Sequence, residues 1–189
     1  AANLVISSGT PGVRFTTSRS IDTLLVSGNI TGAGGGTQTL STAGVGTVVL
    51  TGTNSYGATS ILGGTLQVGN GGTGGSLGSS LFGVVDNGLL RLDVNPASGT
   101  LTIGAVISGS GSVEDMPSSL LVLASANTFT GGLKIDTGTV RLGTGSSTGT
   151  GLVTLGASSA LDINGQNATL GGVVGSGIIQ NLASTNSTL

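Results

Sequence analysis

Two stretches of the chain, Val49–Gly69 and Val122–Gly143, are copies of one another. Aligned with one gap opposite Thr130, VLTGTNSYGATSILGGTLQVG and VLASANTFTGGLKIDTGTVRLG agree at eight of 21 pairs, and Tyr56 falls on Phe129. The shared residues are Val49/Val122, Leu50/Leu123, Asn54/Asn127, Gly57/Gly131, Ile61/Ile135, Gly64/Gly138, Thr65/Thr139 and Gly69/Gly143. The likeness runs on in both directions. Leu90-Arg91-Leu92 matches Leu161-Asp162-Ile163, Ile103–Ile107 matches Leu170–Val174, and Ile30-Thr31-Gly32-Ala33-Gly34 matches Ile107-Ser108-Gly109-Ser110-Gly111, always at an offset between 66 and 77 residues. Self-similarity at a steady period marks a solenoid, in which each unit buries its apolar face only against the next. The chain is therefore expected to form one unit over residues 1–189, with modules at about 30–106 and 107–179 and a partial copy at 1–29.

The units are strands. No window keeps apolar residues at helical spacing, and Gly, Ser and Thr interrupt every candidate. Short alternations recur instead: Leu66-Gln67-Val68, Leu90-Arg91-Leu92-Asp93-Val94, Leu133-Lys134-Ile135, Val140-Arg141-Leu142 and Leu161-Asp162-Ile163. In a strand the aliphatics of such a run share one face, and the charge between them is expected to point to water. Turn signals separate the runs at Gly34-Gly35-Gly36, Gly63-Gly64, Asn70-Gly71-Gly72, Asn87-Gly88, Gly131-Gly132 and Asn164-Gly165. Asn and Gly accept the positive φ that tight corners require. Strand–corner units about 20 to 25 residues apart predict a right-handed, single-stranded parallel β-helix of roughly eight rungs. At ~4.8 Å per rung the rod would be on the order of 40 Å long.

Composition narrows function by exclusion. Among 189 residues there are 38 Gly, no His, no Cys, one Lys, and a net charge of -2. Most acid–base, thiolate and zinc chemistry lacks its side chains here, and nucleic acid lacks a basic footprint to bind. A mean hydropathy of +0.43 argues against a solvated disordered tail. Direct membrane insertion is not expected, because the longest apolar run, Leu120–Ala124, is far short of the roughly 20 residues that a spanning helix needs. Three Phe and one Tyr are too few for the aromatic girdles of a membrane barrel. The start, Ala1-Ala2-Asn3-Leu4, has no signal-peptide pattern, so a leader is expected to have been removed or the chain to be part of a longer one. Missing cysteines are compatible with export through an oxidising compartment.

Candidate sites each have a structural counterpart. Asn54 and Asn127, two residues before an aromatic, could pair with it to hold a sugar; as corner residues they satisfy turn backbone groups and stack in ladders. Glu114-Asp115 is an adjacent acidic pair before Met116-Pro117, where a solvated loop leaving the rung is expected. Glycoside cleavage would need carboxylates converging at about 5–9.5 Å, and neighbours in an extended chain point apart. Gly109-Ser110-Gly111-Ser112 has no histidine to act as a base. Thr-x-Thr pairs, from Thr37/Thr39 to Thr148/Thr150, do not hold one rung period, as an ice-binding face would require. No catalytic residue, metal or cofactor is predicted.

The segment Leu50–Gly69 resembles the passenger-associated transport repeat of Gram-negative autotransporters, with Leu50, Gly52, Asn54, Tyr56, Thr59, Ile61, Gly64, Thr65, Leu66 and Gly69 at its pattern positions. Leu123–Gly143 is similar to it through Asn127, Thr128, Phe129, Gly131, Ile135, Gly138, Thr139 and Gly143, with Val140 in the place of Leu66; Ser125-Ala126 and Leu133 depart from the pattern. The resemblance implies a surface-exposed β-helical passenger made in one precursor with a C-terminal β-barrel translocator. The resemblance implies support of export and folding, and the role expected of the chain is a non-enzymatic stalk that presents an adhesive region. The alternative is direct adhesion, or self-association, with host-surface or neighbouring-cell ligands as partners. More remote are a polysaccharide-cleaving β-helix using Asp86, Asp93 or Glu114, and an ice-binding solenoid.

Overall fold

A computed structural model describes residues 2–7, 12–32, 37–79, 82–116, 119–183 and 188. Every regular element among them is a strand and every pairing is parallel, so the chain winds as a β-solenoid of about seven turns, close to the roughly eight expected. The turn signal at Gly34-Gly35-Gly36 and Pro117 lie outside the described residues.

Three faces run along the rod. The first stacks Thr23–Val26, Thr47–Leu50, Thr65–Gly69, Leu89–Asp93 and Ser112–Asp115, then the leading halves of Leu133–Leu142 and Leu152–Asp162, then Gly172–Gly175. The second begins with Leu4–Ile6 and Ile30–Gly32, bridged onward from Thr31 to Ser55. It resumes with Thr100–Ile103, Leu120–Leu123, the trailing halves of the two long strands, and Ile178–Gln180. The third stacks Gly12–Thr17, Thr39–Gly44, Thr59–Ile61, Val84–Asp86 and Ile107–Ser108, and continues through Ala126–Asn127 and Ser147–Thr148.

Turn length varies along the chain, and Thr65 lies over Thr47 after only 18 residues. Thr47 lies over Thr23 and Leu89 over Thr65 with 24 residues per turn, whereas Leu133, Val153 and Val173 succeed Val113 at steps of 20. From Thr65 onward the difference is made at the corner between the first and second faces. Loops at residues 70–75 and 94–99 fill it in the middle of the rod; a register shift between Ile135 and Thr137 suffices later, so one strand runs round the corner.

Alternation delivers the core. Val48, Leu66, Leu90, Val113, Leu133 and Val153 form one inward column in register, each at most 1% exposed. Each such aliphatic contributes about 1.5–3 kcal/mol on burial. A second column runs Leu50, Val68, Leu92, Asp115, Ile135, Leu155. Its fourth member corrects the sequence reading: Glu114-Asp115 is not a solvated loop but the end of a strand. Spacing explains it, since Asp115 is two residues beyond inward Val113 and must point inward too. Asp162 is likewise fully buried rather than facing water, and so is Asp86.

Candidate functional site

The repeat residues form a device that staples successive turns. Asn54 sits at the corner before the second face and is 8% exposed. Its Oδ1 accepts the backbone N–H of Ile30 from the turn below at 2.8 Å, and its Nδ2 donates to the carbonyl of Ser76 on the turn above at 2.6 Å. Its own N–H donates to the Ser76 hydroxyl at 2.7 Å. Asn127 does the same: Oδ1 accepts from Ile107 N–H at 2.9 Å, and Nδ2 donates to the Ser147 carbonyl at 2.8 Å. One amide thus satisfies buried backbone groups on two neighbouring turns where the strand ladder is broken by a corner, groups that would otherwise be left unpaired.

The aromatic two residues on is driven inward by the same alternation, and Tyr56 and Phe129 are both fully buried. Burial pushes the Tyr56 hydroxyl up to about 12, partly offset by a hydrogen bond with the Thr59 hydroxyl and by one with the Gly78 backbone. Above each ring lies a glycine. A Cβ on Gly78 would stand 2.3 Å from the Tyr56 carbonyl and 2.5 Å from its Cδ2; on Gly149 it would stand 2.3 Å from the Phe129 carbonyl and 3.0 Å from its Cδ2. The repeat therefore extends one turn past the aromatic, through Ser76-Leu77-Gly78 and Ser147-Thr148-Gly149. Sequence reasoning missed these residues, although Ser-x-Gly at the steady module offset was available as a signal.

The remaining repeat positions build the next strand. Gly64 and Gly138 turn the chain at φ +66° and +75°. Thr65 then pairs with Thr47 and Leu89, and Thr139 with Leu120 and Ala160, while Leu66 and Val140 are fully buried. At the strand ends, Gly69 has φ +83°, and the N–H of Gly143 donates to Leu123 at 2.8 Å. The two copies do not share faces. Thr47–Leu50 opens the first copy on the first face, and Leu120–Leu123 opens the second copy on the second face, so the module advances by three turns and a third.

Four of the charged side chains meet in one network. Glu114 lies outward between Arg91 below and Lys134 above, at 2.6 and 2.7 Å, and Lys134 also reaches Asp136 at 2.8 Å. Burial raises the Glu114 carboxyl, but the two cations outweigh it and hold the group below its ordinary value. Asp115 faces the opposite way, with both carboxylate oxygens buried and unpartnered; burial, then the Asp136 charge, pushes it up to about 8. Asp86 is pushed up to about 6 by burial, against hydrogen bonds from the Gly88 and Leu90 backbone. Asp93 accepts from the Gln67 side chain at 3.2 Å. Glu114 and Asp136 converge on Lys134, where both are held in ion pairs. Thr100 and Thr102 stack under Leu120 and Val122, not under further threonines. Among the described residues no group of three or more metal-ligating side chains is found.

The Passenger-associated-transport-repeat family matches residues 42–68 and 119–142, the two stapled turns. The chain is similar to the "Adhesin BmaC autotransporter" of Brucella suis biovar 1 (strain 1330), with 46% identity over 87 residues. That stretch covers 46% of this chain and spans 2% of the length of the relative. No solved structure matches. The chain thus carries two passenger-associated transport repeats, and each contains one of the stapling asparagines.

Proposed function

We propose that the chain is a non-enzymatic stalk of a surface-exposed passenger. In this reading it is exported across the outer membrane of a Gram-negative bacterium by a C-terminal barrel of its own precursor, and it presents an adhesive region at a distance from the cell. The observation that carries the reading is the staple. Asn54 and Asn127 each tie a turn to its immediate neighbours below and above, so the contacts run between successive turns. A rod of this kind folds by nearest-neighbour steps. A chain emerging vectorially at the cell surface could then fold as it appears and draw the remainder outward.

Direct adhesion is the second reading, favoured by the name of the relative, which is an adhesin. Deleting residues 47–143 from the full-length precursor separates the two. Loss of surface display, measured by protease accessibility on intact cells, supports the stalk. Normal display with adhesion lost supports the binding role. Polymer cleavage by the displayed passenger, abolished by Asp86→Asn, Asp93→Asn or Glu114→Gln, would overturn both.

A further inference from the structure

Three Asn-Gly steps mark corners of the rod: Asn70-Gly71, Asn87-Gly88 and Asn164-Gly165. An asparagine amide is a thermolabile group, because the main-chain nitrogen of the next residue can attack its Cγ and close a five-membered imide. Glycine as the next residue eases the attack, since no Cβ obstructs the approach. In a folded chain the reaction needs an amide free to swing onto that nitrogen and a base beside the N–H.

The fold treats the three steps differently. Gly88 N–H has a carboxylate beside it, Asp86 Oδ1 at 2.9 Å, but the Asn87 amide is pinned: its Oδ1 accepts the N–H and the hydroxyl of Ser110 from the turn above, both at 3.1 Å. Asn164 is pinned by its nitrogen, which donates to the Leu142 carbonyl at 2.9 Å, and the Gly165 N–H is taken by the neutral amide oxygen of Asn181 at 2.8 Å. The staple residues Asn54 and Asn127 have both ends of the amide bonded and are followed by Ser55 and Thr128, not glycine. Asn70 is loose. Its side chain makes no hydrogen bond among the described residues, and residues 70–74 of its corner loop are all exposed.

Asn70 also has the base. Gly71, at φ +80°, donates its N–H to the Asp93 carbonyl on the turn above at 2.8 Å. That contact brings it beside the carboxylate of the same residue, for a Cβ on Gly71 would lie 3.9 Å from Asp93 Oδ1. Asp93 Oδ2 is occupied by Gln67 Nε2, so Oδ1 is the oxygen turned to the loop. Burial raises this carboxyl against the Arg91 charge and the Gly71 N–H, which makes it the stronger base.

We propose that Asn70-Gly71 is a self-modification site, at which the chain converts its own Asn70 to isoaspartate and aspartate with Asp93 as the base. The Gly71 nitrogen bonds to Asn70 Cγ while its proton passes to Asp93 Oδ1; the Cγ–Nδ2 bond then breaks, and the same proton leaves on ammonia. Water opens the imide at one carbonyl to give aspartate, or at the other to give isoaspartate, whose main chain runs through Cβ and Cγ. The product carries one more negative charge and a longer loop. Because that loop lies outside the strands Thr65–Gly69 and Leu89–Asp93, their pairing survives, and the change accumulates with the age of the chain.

The test incubates the 189-residue chain at pH 7.4 and 37 °C and follows each asparagine by peptide mass spectrometry, with isoaspartate read by enzymatic methylation. Asn70 should convert at least tenfold faster than Asn87 and Asn164 and yield isoaspartate as well as aspartate. In concentrated urea, where pins and base are both lost, the three rates should agree within threefold. Asn70→Gln removes no hydrogen bond and should leave the thermal midpoint unchanged while abolishing conversion at that site. Asp93→Asn should slow conversion of Asn70 at least threefold, and Asp93→Ser serves where that variant does not fold. Conversion of Asn87 or Asn164 as fast as Asn70 in the folded chain would overturn the proposal. So would aspartate without isoaspartate, a rate difference that persists in urea, or an Asn70 rate unmoved by loss of the Asp93 carboxylate.

Discussion

Asn127 makes, one face further round the rod, the two hydrogen bonds that Asn54 makes: each accepts from an isoleucine N–H on the turn below and donates to a serine carbonyl on the turn above. Equivalent bonds at non-equivalent faces mean that the staple belongs to the local turn and not to one side of the rod. Spacing through three turns and a third distributes the staples around the circumference.

Replacing either asparagine by alanine strands a buried N–H and a buried carbonyl. Asn54→Ala and Asn127→Ala should each lower stability by about 1–3 kcal/mol. The sites share no partner, so the double variant should show a loss near the sum of the two. Urea unfolding followed by far-UV circular dichroism measures all three. A double variant no less stable than either single one would mean that the two turns do not unfold together.

Glycines that face open space and glycines that face an aromatic should separate clearly. Gly99 and Gly145 have φ +71° and +69°, and a methyl group added at either would have nothing within 4 Å, so alanine there meets only backbone strain, about 1–2 kcal/mol. At Gly149 the same strain, at φ +78°, is joined by collision with the Phe129 carbonyl and ring, and Gly149→Ala should cost about 3 kcal/mol or more. Thermal midpoints of the three variants give the order.

Much of this was legible from the residues. Inward columns follow from alternation, and the corner role of Asn54 and Asn127 from the side chain's capacity to bond the backbone on either side. What alternation cannot supply is identity across a turn. Ser76 and Gly78 matter through Asn54 and Tyr56, 22 residues earlier, and no local pattern links them. Asp115 was concealed by its neighbours, since an acidic pair before Met116-Pro117 has the composition of a loop while obeying the in–out order of a strand. The rotation of the second copy depends on summed turn lengths, which the corner loops set.

Asp115 and Asp86 make stability depend on pH in a definite direction. Both bind their proton more tightly folded, up to about 8 and about 6, than at their ordinary value of 3.8. Stability from this source is complete below about pH 4. It is lost as pH rises, through about 6 for Asp86 and about 8 for Asp115. Glu114, held low by its cations, acts oppositely and loses its contribution as pH falls below the ordinary carboxylate range. Stability should therefore peak in mild acid. Asp115→Val, matching the aliphatic column of Leu92 and Ile135, should raise the urea midpoint more at pH 9 than at pH 4.5. Equal gains at both would mean that Asp115 titrates normally.

Asp162 should govern the last turns. Its fully buried carboxylate accepts Arg141 Nε at 2.7 Å and, on the other oxygen, the N–H of Asn164 at 3.0 Å and of Leu182 at 3.1 Å. Burial alone would raise this acid, but the Leu182 N–H, the Arg141 guanidinium and the Asn164 N–H outweigh it and keep the carboxyl low. Asp162→Ala removes the anchor of Leu182 and strands two N–H groups, a loss of about 2–4 kcal/mol by the usual worth of bonds to a charged group. In a rod stabilised turn by turn the damage stays local. Hydrogen exchange should accelerate over Ile178–Gln180 and at Leu182, while the amides of Leu66 and Leu90 keep their protection. Uniform acceleration along the rod would show instead that the turns unfold as one unit.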